Sequence, residues 1–138
     1  MHPDRLAQPP IHQGDLYWVT VDYPGAGEPS IPHPYVIVQD DALNGSPLAT
    51  VVACALTSNL KRASWPGNVL LAEGEANLPR PSVVEVSKVA TLEKGQLGAW
   101  IGRLSAQRVE QILAGQRFLQ RSFFGGFAGD GPFPEAPF

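Results

Sequence analysis

The sequence predicts a single mainly β domain of short strands, finished at its C-terminal end by one helix. A chain of 138 residues with 43% hydrophobic and 17% charged residues has the size and composition of one globular domain. Fourteen glycines and fourteen prolines interrupt it too often for a helical bundle and suit strands joined by turns. Three apolar runs rich in β-branched and aromatic residues, 16–21, 35–39 and 48–56, lie between those breaks. Only beyond Gly102 does the apolar period lengthen to that of a helix.

Residues 1–13 read as a flexible N-terminal arm containing Pro3, Pro9 and Pro10, and the domain, 14–121, opens at Gly14-Asp15. Leu16 to Val21 is the first strand, ended by Pro24-Gly25-Ala26-Gly27. Pro29, Pro32 and Pro34 disfavour helix around them and cannot donate to a ladder, so a loop is expected from Tyr23 to His33. Tyr35 to Gln39 is the next strand. A link centred on Asn44-Gly45 leads to Leu48–Leu56, which is apolar enough to be buried on both faces. Asn68–Ala72 and Ser82–Val89 follow as strands, separated by the polar segment Glu73–Pro81. Ser105 then caps a helix over 106–121, with Val109, Ile112, Leu113 and Leu119 at helical spacing on its inner stripe. Residues 122–138 form an irregular Phe/Gly/Pro-rich tail. It is either a flexible tail or one packed on the parent domain, or, given its five phenylalanines, a segment that docks in a hydrophobic groove of this chain or a partner.

Charge and cysteine usage exclude several classes of function. A net charge of -3 argues against binding nucleic acid through a broad basic surface, while leaving room for a local site built from Lys61, Arg62, Arg80 or Lys88. No apolar run approaches the roughly 18 residues that span a bilayer, and the N-terminus is polar, so a cytoplasmic protein is expected. The single cysteine, Cys54, permits no internal disulfide or cysteine cluster, and its apolar run suggests a buried, inert thiol. Asp40, Asp41, Glu73 and Glu75 lack a His or Cys at ligand spacing, so no metal site is expected.

Several separated motifs together resemble the MazF/PemK family of toxin endoribonucleases. Gly14-Asp15 with Trp18-Val19 is similar to the family's opening "GD.W.V" strand. Gly27-Glu28 and the Pro-ended loop after it are similar to "GSEQ...RP", and Leu56-Thr57-Ser58 to the "LTS" that ends the third strand. Ser82-Val83-Val84 with Val89 through Lys94 resembles "SVV...Q.RT.DK", and Ile101 through Ser105 resembles the "IG.LS" leading into the last helix. The resemblance covers roughly Gly14 to Leu119. It implies a small SH3-like β barrel of the MazF/CcdB type with a C-terminal helix. It also implies a homodimer, metal-independent cleavage of single-stranded RNA, and neutralisation by an antitoxin.

In such cleavage the 2′-hydroxyl attacks the adjacent phosphorus. The reaction needs a base, an acid at the 5′-oxygen, and donors for the phosphoryl oxygens. The resemblance places Thr57 at the scissile phosphate, with Ser58 beside it. It also shows a departure, because His33 stands before Pro34 where the family has Arg. An imidazole changes charge near neutral pH and could move a proton, with Glu28 of the same loop orienting it or sharing the transfer. Otherwise His33 is a solvated loop residue, and a bidentate phosphate contact has been lost. Lys88 stands where the family has Gln, and Ala90 where it has Arg. Lys88 either restores charge at an RNA groove or solvates a strand edge. Lys61, Arg62 and Trp65, in the loop after Thr57, suit a phosphate and a stacked base, although Trp65 beside Pro66 also suits a core cap. The alternative function is a non-catalytic module on the same barrel that binds antitoxin or RNA, or that poisons DNA gyrase as CcdB toxins do. Against gyrase poisoning, the helix ending Arg121-Ser122-Phe123 does not resemble theirs.

Overall fold

The computed structural model describes residues 9–21 and 31–124, the last three as backbone. Six antiparallel strands form one sheet in the order β4-β5-β3-β2-β1-β6. They are β1 Asp15–Val19, β2 His33–Ile37, β3 Thr50–Thr57, β4 Val69–Leu71, β5 Ser82–Glu93 and β6 Leu97–Arg103. A four-residue helix, α1 Asp41–Asn44, follows β2, and α2 Ala106–Phe124 ends the described chain.

Alternation along β1 builds two cores, because successive side chains leave opposite faces of a strand. Leu16 joins Val36, Cys54, Leu56, Val84, Ile101 and Ile112 in the larger cluster, inside the barrel and under α2. Tyr17 and Val19 join Tyr35, Ile37, Val51, Ala53 and Leu92 in the second. Ile11 packs on that second cluster, and Gln13 donates its side-chain Nε2 to the Val38 carbonyl at 2.9 Å. The fold therefore takes in the last residues of the expected arm.

The Gly14-Asp15 opening has a structural purpose. Gly14 holds φ +95, and a Cβ there would lie 2.9 Å from Val109 of α2, so glycine lets the helix approach. Asp15, 1% exposed, accepts the His12 backbone N–H at 2.8 Å and the Arg103 Nε at 2.8 Å, a buried carboxylate satisfied by both.

The sheet closes by an unusual contact. In the turn Glu75–Asn77, Ala76 and Asn77 adopt left-handed φ of 48 and 66. Asn77 Nδ2 then donates to the Ile101 carbonyl of β6 at 3.0 Å. A Cβ on Gly102 would meet the Ala76 carbonyl, so the two segments touch only because that position is glycine.

The structure adds one strand and corrects three expectations. The segment Leu97–Arg103, for which no element was expected, is strand β6 paired with β1. His33, assigned to the loop, begins β2 together with Pro34, where proline is tolerated because pairing with β3 starts only at Tyr35. The strand from Ser82 runs on to Glu93, through an irregularity in which Cys54 pairs with Val89 but Leu56 with Val84, so residues 85–88 bulge from the ladder. The helix starts as expected, with the Ser105 Oγ accepting from Arg108 N at 3.2 Å, but it extends to Phe124, and Leu119 is 42% exposed instead of facing inward. The tail beyond Phe124 lies outside the described residues.

Cys54 is fully buried, receives Gln116 Nε2 at 3.1 Å, and has its thiol pushed by burial up to about 11. Iodoacetamide at neutral pH should leave the native protein unlabelled and label the denatured chain; labelling of both at one rate would contradict this placement.

Candidate functional site

The ends of β1, β2, β3 and β5 and the segments leading into β2 and β5 converge on a cleft of about 270 Å³, lined among others by Trp18, Pro32, His33, Thr57, Ser58 and Arg80. The β1–β2 register sets Val19 opposite His33 and Trp18 opposite Pro34, which carries the histidine to the rim of the sheet. Prolines on both sides restrict its backbone. His33 is exposed, as a residue that must meet substrate has to be.

Thr57 ends β3 opposite Val83. Its Oγ1 accepts the Asn59 backbone N–H at 3.1 Å, which anchors the hydroxyl and leaves its proton free for an oxygen in the cleft. Asn59 in turn accepts from Lys61 N at 3.2 Å, capping the single turn Leu60–Ser64. Asn68 finishes the loop by donating to the Arg62 carbonyl at 3.0 Å and accepting from Val86 N at 3.1 Å. The loop carrying Ser58 is thus clamped at both ends.

The expected residues fall into two groups. His33, Thr57 and Ser58 line the cleft together, whereas Lys61, Arg62, Trp65 and Lys88 do not line it. Arg62 lies 4.2 Å over the Trp65 ring and 3.8 Å from Glu85, and Lys88 lies 3.5 Å from the same carboxylate. Glu85 is 5% exposed, so the bulge at 85–88 holds a buried anion between two cations. Arg62 and Lys88 are therefore partly neutralised, and Trp65 is half exposed with a guanidinium on one face. Glu28 lies outside the described residues.

Arg80, which the sequence offered only as one of four cations for a local nucleic-acid site, is the one of the four that lines the cleft. A local signal existed, because Pro79-Arg80-Pro81 repeats the frame of Pro32-His33-Pro34. In both, a polar side chain stands between two residues of fixed φ.

Three of the four acidic residues considered for metal have other partners. Asp40 Oδ1 accepts from Ala42 N at 2.8 Å and caps α1. Asp41 accepts Gln13 N at 2.6 Å, and that hydrogen bond holds its carboxyl below the usual range. Glu75 takes Arg108 through two bonds of 2.7 and 3.1 Å. Burial alone would raise its carboxyl, but the Arg108 contacts and the Ala72 N–H outweigh burial and hold it low. No group of three or more His, Cys, Asp or Glu suited to a metal ion occurs among the described residues. A depressed carboxyl stabilises the fold above its unfolded pKa and loses that contribution as pH falls through its folded value. Arg108→Gln should therefore narrow the stability gap between pH 7 and about pH 3, read by urea midpoints, while an unchanged gap would show that the pair contributes nothing.

A second depression, about 390 Å³, lies between Trp65, Pro66, Val86, Phe118 and Leu119. Its walls are apolar, and Phe118 and Leu119 are each 42% exposed. Among the described residues, no helix is long and apolar enough to cross a membrane.

Known proteins resemble this one in sequence and in fold. The sequence profile of the family described as "PemK-like, MazF-like toxin of type II toxin-antitoxin system" matches residues 12–118. Endoribonuclease MazF6 of Mycobacterium tuberculosis is 36% identical over 107 residues, covering 78% of this chain and 94% of that protein. Endoribonuclease MazF of Staphylococcus saprophyticus is 27% identical over 103 residues, covering 74% of this chain and 84% of that protein. A MazE-MazF crystal structure from Deinococcus radiodurans superposes with a TM-score of 0.67 at 18% identity, over 82% of this chain and 97% of that one. A mycobacterial endoribonuclease in complex with its cognate antitoxin gives a TM-score of 0.61 at 22% identity, over 82% and 95%.

Proposed function

The chain belongs to the PemK-like, MazF-like toxin family of type II toxin-antitoxin systems, and from that premise we propose that it is a toxin endoribonuclease acting at the His33–Thr57 cleft. The observation that carries the reading is the convergence of His33, Thr57 and Ser58 on one cleft from separate strands. An exposed imidazole and an anchored hydroxyl are what transesterification of RNA requires at a single phosphate.

In this reading a single-stranded RNA lies across the cleft. The 2′-hydroxyl loses its proton to a base and attacks phosphorus, and the 5′-oxygen leaves with a proton. The products are a 2′,3′-cyclic phosphate and a 5′-hydroxyl. His33 performs proton transfer, and Glu28 orients it or shares the proton. Thr57 donates its free hydroxyl proton to a phosphoryl oxygen. Lys61, Arg62 and Lys88 meet the RNA backbone beyond the cleft, with Trp65 available to a base. No metal or cofactor enters the reaction. The protein works in the cytoplasm as a homodimer, and an antitoxin neutralises it. The apolar depression beside Phe118 and Leu119 suits a protein partner better than RNA.

Metal-free cleavage tests the reading. Long mixed-sequence RNA incubated in EDTA should be cut to 2′,3′-cyclic phosphate ends, and the cuts should disappear with His33→Ala and with Thr57→Ala. Absence of cleavage by folded wild-type protein would overturn it.

A further inference from the structure

We infer that Arg80 is the phosphate-binding residue of the cleft, its guanidinium taking the phosphoryl oxygens of the RNA phosphodiester held over His33 and Thr57. The inference rests on the endoribonuclease reading and adds the charge that reading lacks. A phosphodiester in cleavage gathers negative charge on its phosphoryl oxygens, and one hydroxyl from Thr57 supplies a single neutral donor. A guanidinium offers several N–H groups in a planar fork that matches two oxygens at once.

Among the described residues that line the cleft, Arg80 is the only lysine or arginine. The loop ahead of His33 brings none, because residues 20–32 contain no lysine or arginine.

Arg80 is also uncommitted. Arg62 and Lys88 face Glu85, Arg103 faces Asp15, Arg108 faces Glu75 and Arg117 faces Glu110, whereas Arg80 has no ion pair among the described residues. It is exposed, and its own carbonyl accepts the Ser82 hydroxyl at 3.0 Å, which fixes the backbone beneath it. Pro79 and Pro81 restrict the same stretch. A cation that is exposed, unpaired, backbone-constrained and set in the wall beside His33 and Thr57 is prepared for an anion.

The test compares wild type with Arg80→Gln and Arg80→Lys, using two readouts. Single-turnover cleavage of long mixed-sequence RNA should fall at least 100-fold in Arg80→Gln and be partly kept in Arg80→Lys, as for loss of one charge-stabilising donor. Binding of a fluorescent, fully 2′-O-methylated mixed-sequence RNA, which cannot be cut, should weaken in Arg80→Gln. The slope of log affinity against log salt should shrink by about 0.7, the value for one phosphate contact to a single strand. Normal cleavage and binding by Arg80→Gln would overturn the assignment and leave the endoribonuclease reading standing. If wild type binds but does not cleave, the endoribonuclease reading fails, and a reduced salt slope in Arg80→Gln still supports the phosphate contact. If wild type neither binds nor cleaves, both fail.

Discussion

His33→Ala is expected to lower single-turnover RNA cleavage by about 10²- to 10⁴-fold, the range over which a positioned proton-transfer group accelerates a reaction. The fold should survive, because His33 is exposed at the first position of β2 and no core residue depends on it. His33→Arg separates two roles for this position. An arginine restores charge and phosphate contacts but cannot exchange a proton near neutral pH. If His33 moves protons, His33→Arg stays slow. If His33 only holds the phosphate, His33→Arg cleaves as well as wild type. Thr57→Val keeps the side-chain volume and removes the donor, and should cost about 10²- to 10³-fold in rate. Near-normal cleavage by both His33→Ala and Thr57→Val would remove the cleft from the reaction.

Gly115→Ala is expected to destabilise the fold although alanine is the better helix former. Helix propensity alone favours alanine at an interior helical position by roughly 1 kcal/mol. Here packing decides the sign. A Cβ on Gly115 would collide with the Gly67 carbonyl and come within 3.2 Å of Val86, and Gly67 itself holds φ +87. The obstacle is backbone, so relief requires moving either α2 or the loop that ends at Gly67. Overpacking of this kind costs about 1 to 3 kcal/mol, which outweighs the gain in propensity. A net loss of about 1 kcal/mol should appear as a lower urea midpoint with an unchanged slope. Gly95→Ala is the control, since a Cβ there meets nothing within 4 Å, and it should stay within about 0.5 kcal/mol of wild type. A stabilised Gly115→Ala would show that the helix and loop do not press together in solution.

Sequence made some parts of this molecule legible and hid others for identifiable reasons. The runs around Tyr17, Val36 and Val52 announce strands because β-branched and aromatic residues pack well on a pleated surface. Ser105 announces the helix because a side-chain oxygen there meets a free N–H. Strand β6 stayed hidden because Gly98 and Gly102 look like loop residues. Their lack of a side chain serves contacts with Trp18 and Ala76, which only the folded chain brings near. Leu119 fits a helical stripe by spacing, yet it borders the open depression beside Trp65 and Pro66 and remains half exposed.

The cleft was half legible in the same way. His33, Thr57 and Ser58 belong to strand ends that pair with near neighbours in the chain, so their order along the sequence already suggested a shared location. Arg80 reaches them only after β4, the turn at Glu75–Asn77 and the start of β5 have wrapped around the sheet. The loop cations were legible as a group. Their attachment to Glu85 was not, because it depends on the bulge at 85–88, and no periodic pattern marks a bulge.

The contact of Asn77 with Ile101 also governs how the molecule can meet its neighbours. A strand at the margin of a sheet ordinarily offers a ladder of unused amides and carbonyls, an invitation for any extended chain to add itself. Along β6 that invitation is withdrawn where Asn77 takes the Ile101 acceptor and the Ala76 carbonyl presses on Gly102. At the other margin, β4 is only three residues long. Runaway strand-by-strand polymerisation therefore has little to grip at either end of the sheet, and a partner must bind by filling shape and matching side chains.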